Sequence, residues 1–222
     1  MIEIISATRL SENDFWNKSA LGISLRRLAH DARLVARLAF SNRRGLSDIF
    51  NARISAPDGH DLLVFIHDDV EITDFFWTDH IRRGLIKHAM IGLAGNTVRK
   101  PMQQSWAFLD EDYERCETLS GTIGHDGLSG RYQNYFGESF KEVKLLDGVM
   151  LACDSSVLAY KGITFDERFD FHYYDMDICR QFERAGLTMG TWGISMVHSS
   201  PGRYLTPEWK AAQAKYFEKW GS

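Results

Sequence analysis

The amino-acid sequence predicts an α/β fold: a single domain on a central, mostly parallel sheet with helices on both faces. Three observations carry that prediction. Strand-like and helix-like segments alternate through residues 1–95. Leu62-Leu63-Val64-Phe65-Ile66 is apolar without alternation, the pattern of a strand buried on both faces. The 222 residues, 44% hydrophobic and 25% charged, suffice for one core and lack the composition of a disordered or fibrous chain.

Ile2 to Ser6 is a β-rich run and reads as the first strand. Ser11, followed three residues later by Asp14, starts a helix, and Leu21, Leu25 and Leu28 recur on one helical face. Leu34 to Phe40 is a second apolar segment, closed by the turn cluster Ser41-Asn42-Arg43-Arg44-Gly45. A helix over about Leu46 to Ala56 leads into the apolar strand, which stops at His67-Asp68-Asp69. Thr73 or Asp74 caps the next helix, where Trp77, Ile81 and Leu85 stack at four-residue spacing, and Ala89 to Ala94 is a fourth strand. The βαβαβαβ order implies right-handed crossovers and ligands beyond the carboxyl ends of the strands, where His67-Asp68-Asp69 falls.

From Gly95 to Glu142 the periodicity fails among glycines and aromatics, with Trp106, Tyr132 and Tyr135 reading as exposed. So long a segment reads as an irregular insert or lid. Val143 to Cys153 is a strand interrupted at Asp147-Gly148, and about Asp175 to Arg184 is an amphipathic helix stopped by Gly186. Thr188 to His198 is a last strand. Thr206-Pro207 then opens a closing helix with Trp209, Ala212, Tyr216 and Trp220 on one face.

With 26 basic and 30 acidic residues the net charge is −4, which gives no field for a nucleic-acid backbone or an anionic membrane. The run Leu62 to Ile66 falls far short of the roughly 20 apolar residues that span a bilayer, so no transmembrane segment is expected. Glu3 stands where a signal peptide carries basic residues. Cys116, Cys153 and Cys179 are odd in number and lack metal-type spacing, so they read as free thiols of a cytoplasmic protein. Neither a P-loop lysine motif nor a Gly-x-Gly-x-x-Gly fingerprint is present.

Three clusters could carry chemistry. Asp68 and Asp69, adjacent at a strand end, repel unless a divalent cation joins them; solvated turn residues are the alternative. His172-Tyr173-Tyr174-Asp175-Met176-Asp177 opens a helix whose dipole favours ionised carboxylates, suiting either a general base or ordinary capping. Asp175 and Asp177 lie about 200° apart on that helix, and Asp175 continues the buried face of Ile178 and Cys179. His198 ends an apolar strand as a cation ligand or a structural histidine.

Taken in order, the motifs resemble those of the family-2 glycosyltransferases. Leu63 to Ile72, through His67-Asp68-Asp69, is similar to that family's Asp-x-Asp strand, and Asp147-Gly148-Val149-Met150-Leu151-Ala152 to its acceptor-side strand. Phe165-Asp166-Glu167-Arg168-Phe169 resembles its "FDE.F" turn. Tyr174 to Gln181, followed by Arg184-Ala185-Gly186, resembles its Glu-Asp helix, and Val197-His198 its late histidine. The sequence departs from the family where His67 replaces the first acid of the metal motif, where Tyr174 replaces the usual glutamate, and where Ser41-Asn42 replaces an acid that faces the nucleobase.

The resemblance implies a single Rossmann-like GT-A domain over residues 1–222. Residues 1–95 would be its nucleotide-sugar-binding half, 96–142 the insert or lid, and 143–222 the acceptor and catalytic half. It implies an inverting transfer of a sugar, hexosyltransferase-like, from a nucleotide diphosphate donor, UDP-linked, to a saccharide or other hydroxyl acceptor in surface polysaccharide or glycan synthesis. Asp175 would be the base; Asp69, His198 and Asp68 would hold Mn²⁺ or Mg²⁺. Ala7, Thr8, Arg9, Asn42, Asn51 and Asp68 would surround the nucleotide, and Asp147, Gly148, Trp106 and Asp177 the acceptor. The alternatives are a degenerate module that binds nucleotide sugars without turnover, and a metal-dependent phosphohydrolase acting on them.

Overall fold

The computed structural model describes residues 1–221 apart from 57, 110–113, 128, 201 and 203. In chain order the first half comprises β1 (Ile2–Ala7), α1 (Glu12–Lys18), α2 (Ala20–Arg27), β2 (Leu34–Ala39), α3 (Leu46–Ile54) and β3 (Leu62–Ile66). It continues with β4 (Val70–Ile72), α4 (Trp77–Lys87), β5 (Met90–Gly92) and β6 (Ala94–Asn96). The second half comprises β7 (Leu119–Gly127), β8 (Gly130–Gly137), β9 (Glu142–Val143), β10 (Leu145–Leu146), β11 (Met150–Asp154) and α5 (Ser155–Lys161). α6 (Tyr174–Arg184), β12 (Met189–Thr191), β13 (Met196–His198) and α7 (Pro207–Trp220) complete it.

Seven strands form one sheet in the order β2-β1-β3-β11-β5-β12-β9. Only β11 and β9 run against the other five, so the sheet is mostly parallel. A second sheet of order β10-β6-β7-β13-β4, with β8 paired to β7, was not anticipated. Two runs expected as single strands divide, and a third, expected to be interrupted at Asp147-Gly148, breaks there and again at Lys144. Ala89 to Ala94 passes from β5 in the first sheet to β6 in the second at Leu93, Thr188 to His198 passes from β12 to β13, and Val143 to Cys153 breaks into β9, β10 and β11. Both sides of the break at Leu93 are buried, so hydropathy does not mark it, whereas Asp147-Gly148 does mark the break before β11.

The stretch expected to be irregular carries the long hairpin of β7 and β8, paired from Gly121 to Gly137. Its Tyr132 and Tyr135 are exposed, but Trp106 is buried, edge-on to Phe136. The first helix is two helices. Ser19 breaks it because its hydroxyl donates to the Phe15 carbonyl and accepts from Gly22 N–H, both at 2.9 Å, closing one helix and capping the next. Among the described residues no helix is long and apolar enough to cross a membrane.

The core follows from β3, all five residues of which are buried, and from β1, where Glu3 and Ser6 are the buried polar residues beside Ile2, Ile4 and Ile5. A buried carboxylate requires a partner. Arg53 of α3 supplies it, with Nε 2.5 Å from Glu3 Oε1, which pins α3 against β1.

Candidate functional site

Because β1 and β3 are parallel, their carboxyl ends open side by side and bring Ala7 and Arg9 near His67-Asp68-Asp69. β11 enters antiparallel to β3, with Met150 opposite Ile66 and His67 N–H donating to the Val149 carbonyl at 3.3 Å, so the preceding Asp147-Gly148 turn borders the same opening. In the second sheet β13 pairs with β4, placing His198 opposite Val70, and Ser199 N–H donates to the Asp69 carbonyl at 3.0 Å. Sheet register thus carries a histidine from near the C-terminus to the end of the central strand.

His67, Asp69 and His198 each offer a ligand atom, and the three atoms lie within 4.8 Å of one another. His198 Nε2 is 3.3 Å from Asp69 Oδ1, yet that buried oxygen makes no hydrogen bond of good geometry among the described residues. Burial works to raise the Asp69 carboxyl, but the His198 contact outweighs it and the net shift is downward. Burial likewise works to lower His198, and Asp69 overcomes it upward. His67 moves down because burial outweighs the attraction of Asp69. An orphaned buried carboxylate oxygen beside two imidazoles, one held neutral by burial, is a donor set that fits a divalent cation.

Asp68 does not join that cluster. Burial pushes its carboxyl upward, and the Thr8 hydroxyl works against the shift. His67 holds the place expected for Asp68. The signal was present in the sequence, since His67 and Asp69 keep the one-residue gap of an Asp-x-Asp motif.

α6 begins just after Tyr173, a non-glycine residue in the left-handed region at φ 66°. Asp175 in its first turn accepts from Gly148 N–H at 3.0 Å and Met176 N–H at 2.8 Å. One edge of Asp175 opens to a cavity while protein packs around its other sides. That burial, with the neighbouring Asp147 charge, pushes its pKa up to about 7 against the two backbone hydrogen bonds. A carboxyl poised near neutrality suits a general base. Gly148 permits the approach: a Cβ there would stand 2.4 Å from the Tyr174 hydroxyl and 2.9 Å from Asp175 Cβ.

The cavity, about 740 Å³, is of the size that encloses a drug-sized ligand. Ala7, Arg9, Asp68, Asp147, Gly148 and Trp106 line it along with the cluster and Asp175, and the start of α7 closes one side with Trp209 and Ala212. Arg9 is exposed at its rim and has no ion-pair or hydrogen-bond partner among the described residues. Four residues expected here are placed otherwise. Thr8 is buried behind Asp68. Asn42 closes its own turn through Arg44 N–H and C=O. Asn51 spends its amide on the Phe165 backbone, at 2.7 and 2.8 Å, and so clamps α3 to the turn before α6. Asp177 is fully buried away from the cavity and accepts from Trp220 Nε1 at 2.7 Å and Lys219 Nζ at 2.6 Å, which anchors α7.

A family model described as "Glycosyltransferase like family" matches residues 39–215. No curated protein sequence matches the chain. Among solved structures it is similar to GalNAc-T7 in complex with UDP, GalNAc and Mn²⁺, at 10% identity and a TM-score of 0.55 over 99% of this chain and 48% of that one. It is also similar to the mannosyltransferase PcManGT from Pyrobaculum calidifontis in complex with GDP-Man and Mn²⁺, at 13% identity and a TM-score of 0.49 over 91% of this chain and 58% of that one. The chain therefore spans about half the length of these neighbours.

Proposed function

Because the chain belongs to this glycosyltransferase-like family and has the GT-A fold, we propose that it transfers a sugar from a nucleotide diphosphate donor to an acceptor hydroxyl, with inversion at the anomeric carbon. The observation that carries this reading is one cavity holding both the His67, Asp69, His198 cluster and Asp175. The acceptor oxygen attacks the anomeric carbon and its proton passes to an Asp175 carboxylate oxygen. The bond from that carbon to the diphosphate oxygen breaks, and the nucleoside diphosphate leaves with the electron pair. One displacement requires one base and no protein nucleophile.

His67, Asp69 and His198 would hold a divalent cation. When bound, it supplies positive charge against the leaving diphosphate. Two imidazoles beside one carboxylate suit Mn²⁺ better than Mg²⁺, a harder ion that prefers oxygen ligands. Arg9, without an ion-pair partner among the described residues, would add a second positive group for the diphosphate at the rim. The donor is UDP-linked on the reading from sequence, and the acceptor a saccharide of a surface polysaccharide or glycan.

The test is product analysis with labelled UDP- and GDP-sugars and Mn²⁺, with and without acceptor saccharides. Chelator-sensitive release of nucleoside diphosphate, lost in Asp175→Asn, is the result expected. Release of nucleoside monophosphate with sugar phosphate would replace this reading with a phosphohydrolase. Tight donor binding without any turnover would replace it with a binding module.

A further inference from the structure

We infer that Tyr174 is a positioning residue that fixes which nitrogen of His67 carries the proton and links the cation-binding cluster to the base. The inference rests on the reading of His67, Asp69 and His198 as cation ligands and of Asp175 as base. The Tyr174 hydroxyl donates to the Gly148 carbonyl at 2.6 Å and lies 2.8 Å from His67 Nε2. A phenol has one proton to give. With that proton on the Gly148 carbonyl, the contact to His67 is a hydrogen bond only if Nε2–H donates to the tyrosine oxygen. His67 is then the Nε2–H tautomer and Nδ1 keeps its lone pair, the form a cation ligand requires.

The same residue reaches the base. Gly148 offers its carbonyl to Tyr174 and its N–H to Asp175, at 3.0 Å, so His67, Tyr174, Gly148 and Asp175 form one connected chain. The tyrosine ring is buried against Phe50 and Phe165, with ring centroids 5.9 Å away in each case, and His67 stacks on Phe171 at 5.6 Å. Packing therefore holds both rings, which also lie 6.3 Å apart, centroid to centroid, and the hydroxyl supplies the hydrogen-bonded link.

Tyr174→Phe removes the hydroxyl and keeps the packing. Calorimetric titration with Mn²⁺ alone should find the variant's affinity lowered about 10- to 100-fold, the usual cost of losing a group hydrogen-bonded behind a metal ligand. In a His67→Ala background the same substitution should change Mn²⁺ affinity no further, because its path to the cation is gone. Imidazole ¹⁵N shifts in the cation-free wild type should report Nε2–H at His67, a readout that needs no variant to fold. Unchanged Mn²⁺ affinity in Tyr174→Phe, full additivity with His67→Ala, or an Nδ1–H tautomer would each overturn the role of Tyr174 while leaving the cation site standing. A wild type that binds no Mn²⁺ would overturn the cation reading and this inference with it.

Discussion

Asp69, three residues beyond the all-apolar β3, has a buried carboxylate oxygen that lies 3.3 Å from His198 Nε2 and makes no hydrogen bond of good geometry among the described residues, a state that a cation would complete. Asp69→Asn should therefore cost on the order of 2 kcal/mol of Mn²⁺-dependent nucleoside diphosphate affinity, read by calorimetry. Equal binding by mutant and wild type would argue against the site. At Asp175 the chemistry is that of a raised pKa. Its folded value of about 7 lies above the ordinary 3.8, so between the two the unfolded chain has released a proton that the folded chain keeps. Stability then falls as pH rises across that window and levels off above it. On the proposed role of Asp175 as base, turnover should move the other way, climbing as pH rises through about 7 and the carboxyl ionises. Asp175→Asn should flatten the stability profile and lower turnover roughly 10²- to 10⁴-fold with donor affinity kept. That Asp175 rather than Asp177 borders the cavity was readable from the helix periodicity. The shifted pKa of Asp175 was not, because Asp147 and Gly148 reach it only through the fold.

The two acids of α6's first turn divide their work between site and scaffold. Asp177, buried on the far side, gathers Gln181 Nε2 at 2.8 Å together with Trp220 and Lys219, and so fastens the end of α7 whose start walls the cavity. Asp177→Ala should remove charge-assisted hydrogen bonds worth about 2 kcal/mol or more. For a chain of this size that lowers the melting temperature by roughly 4–8 °C. Amide exchange along 207–220 should quicken, and an unchanged melting temperature would contradict the anchoring role. Most helices were legible in the sequence, helped by local caps such as Ser11 and Thr206, but α5 was not anticipated and the division of α1 from α2 at Ser19 was missed. The strands were less so. Leu93 is as buried as its neighbours on either side, and nothing in the run Ala89 to Ala94 says that it changes sheets. Nor does the glycine-rich composition of 121–137 reveal that β7 pairs with β6, β8 and β13. With those pairings, β7 amides should exchange equally slowly with and without a nucleoside diphosphate. Donor-dependent protection along the whole strand would restore the lid that composition suggested.

At the scale of the whole molecule the site is a seam between two sheets. His67 and Asp69 follow β3 of the first, while His198 ends β13 of the second, so a ligand that grips all three ties the sheets together and binds only the folded chain. Such binding adds stability by mass action, about 2.7 kcal/mol at a concentration 100 times the dissociation constant. That corresponds to a melting temperature raised by roughly 5–10 °C in Mn²⁺ with nucleoside diphosphate. The pH dependence has a definite sign. In the cation-free protein Asp69 is shifted down and His198 up, so their pairing stabilises the fold between the carboxylate range and the raised histidine value, and it is lost as pH passes either limit. The cation competes with a proton for the same imidazole. His198 holds its proton to a pH above the ordinary 6.5, so a cation held there would be displaced earlier on acidification than from a free histidine. Raising the pH would therefore weaken the pair and strengthen the proposed cation site at once, and the Mn²⁺-induced rise in melting temperature should grow from about pH 6 to 8. Calorimetric scans at several pH values, each with and without Mn²⁺, measure that difference directly. A rise that is independent of pH, or larger in acid, would remove His198 from the set of ligands and with it the seam on which the site is built.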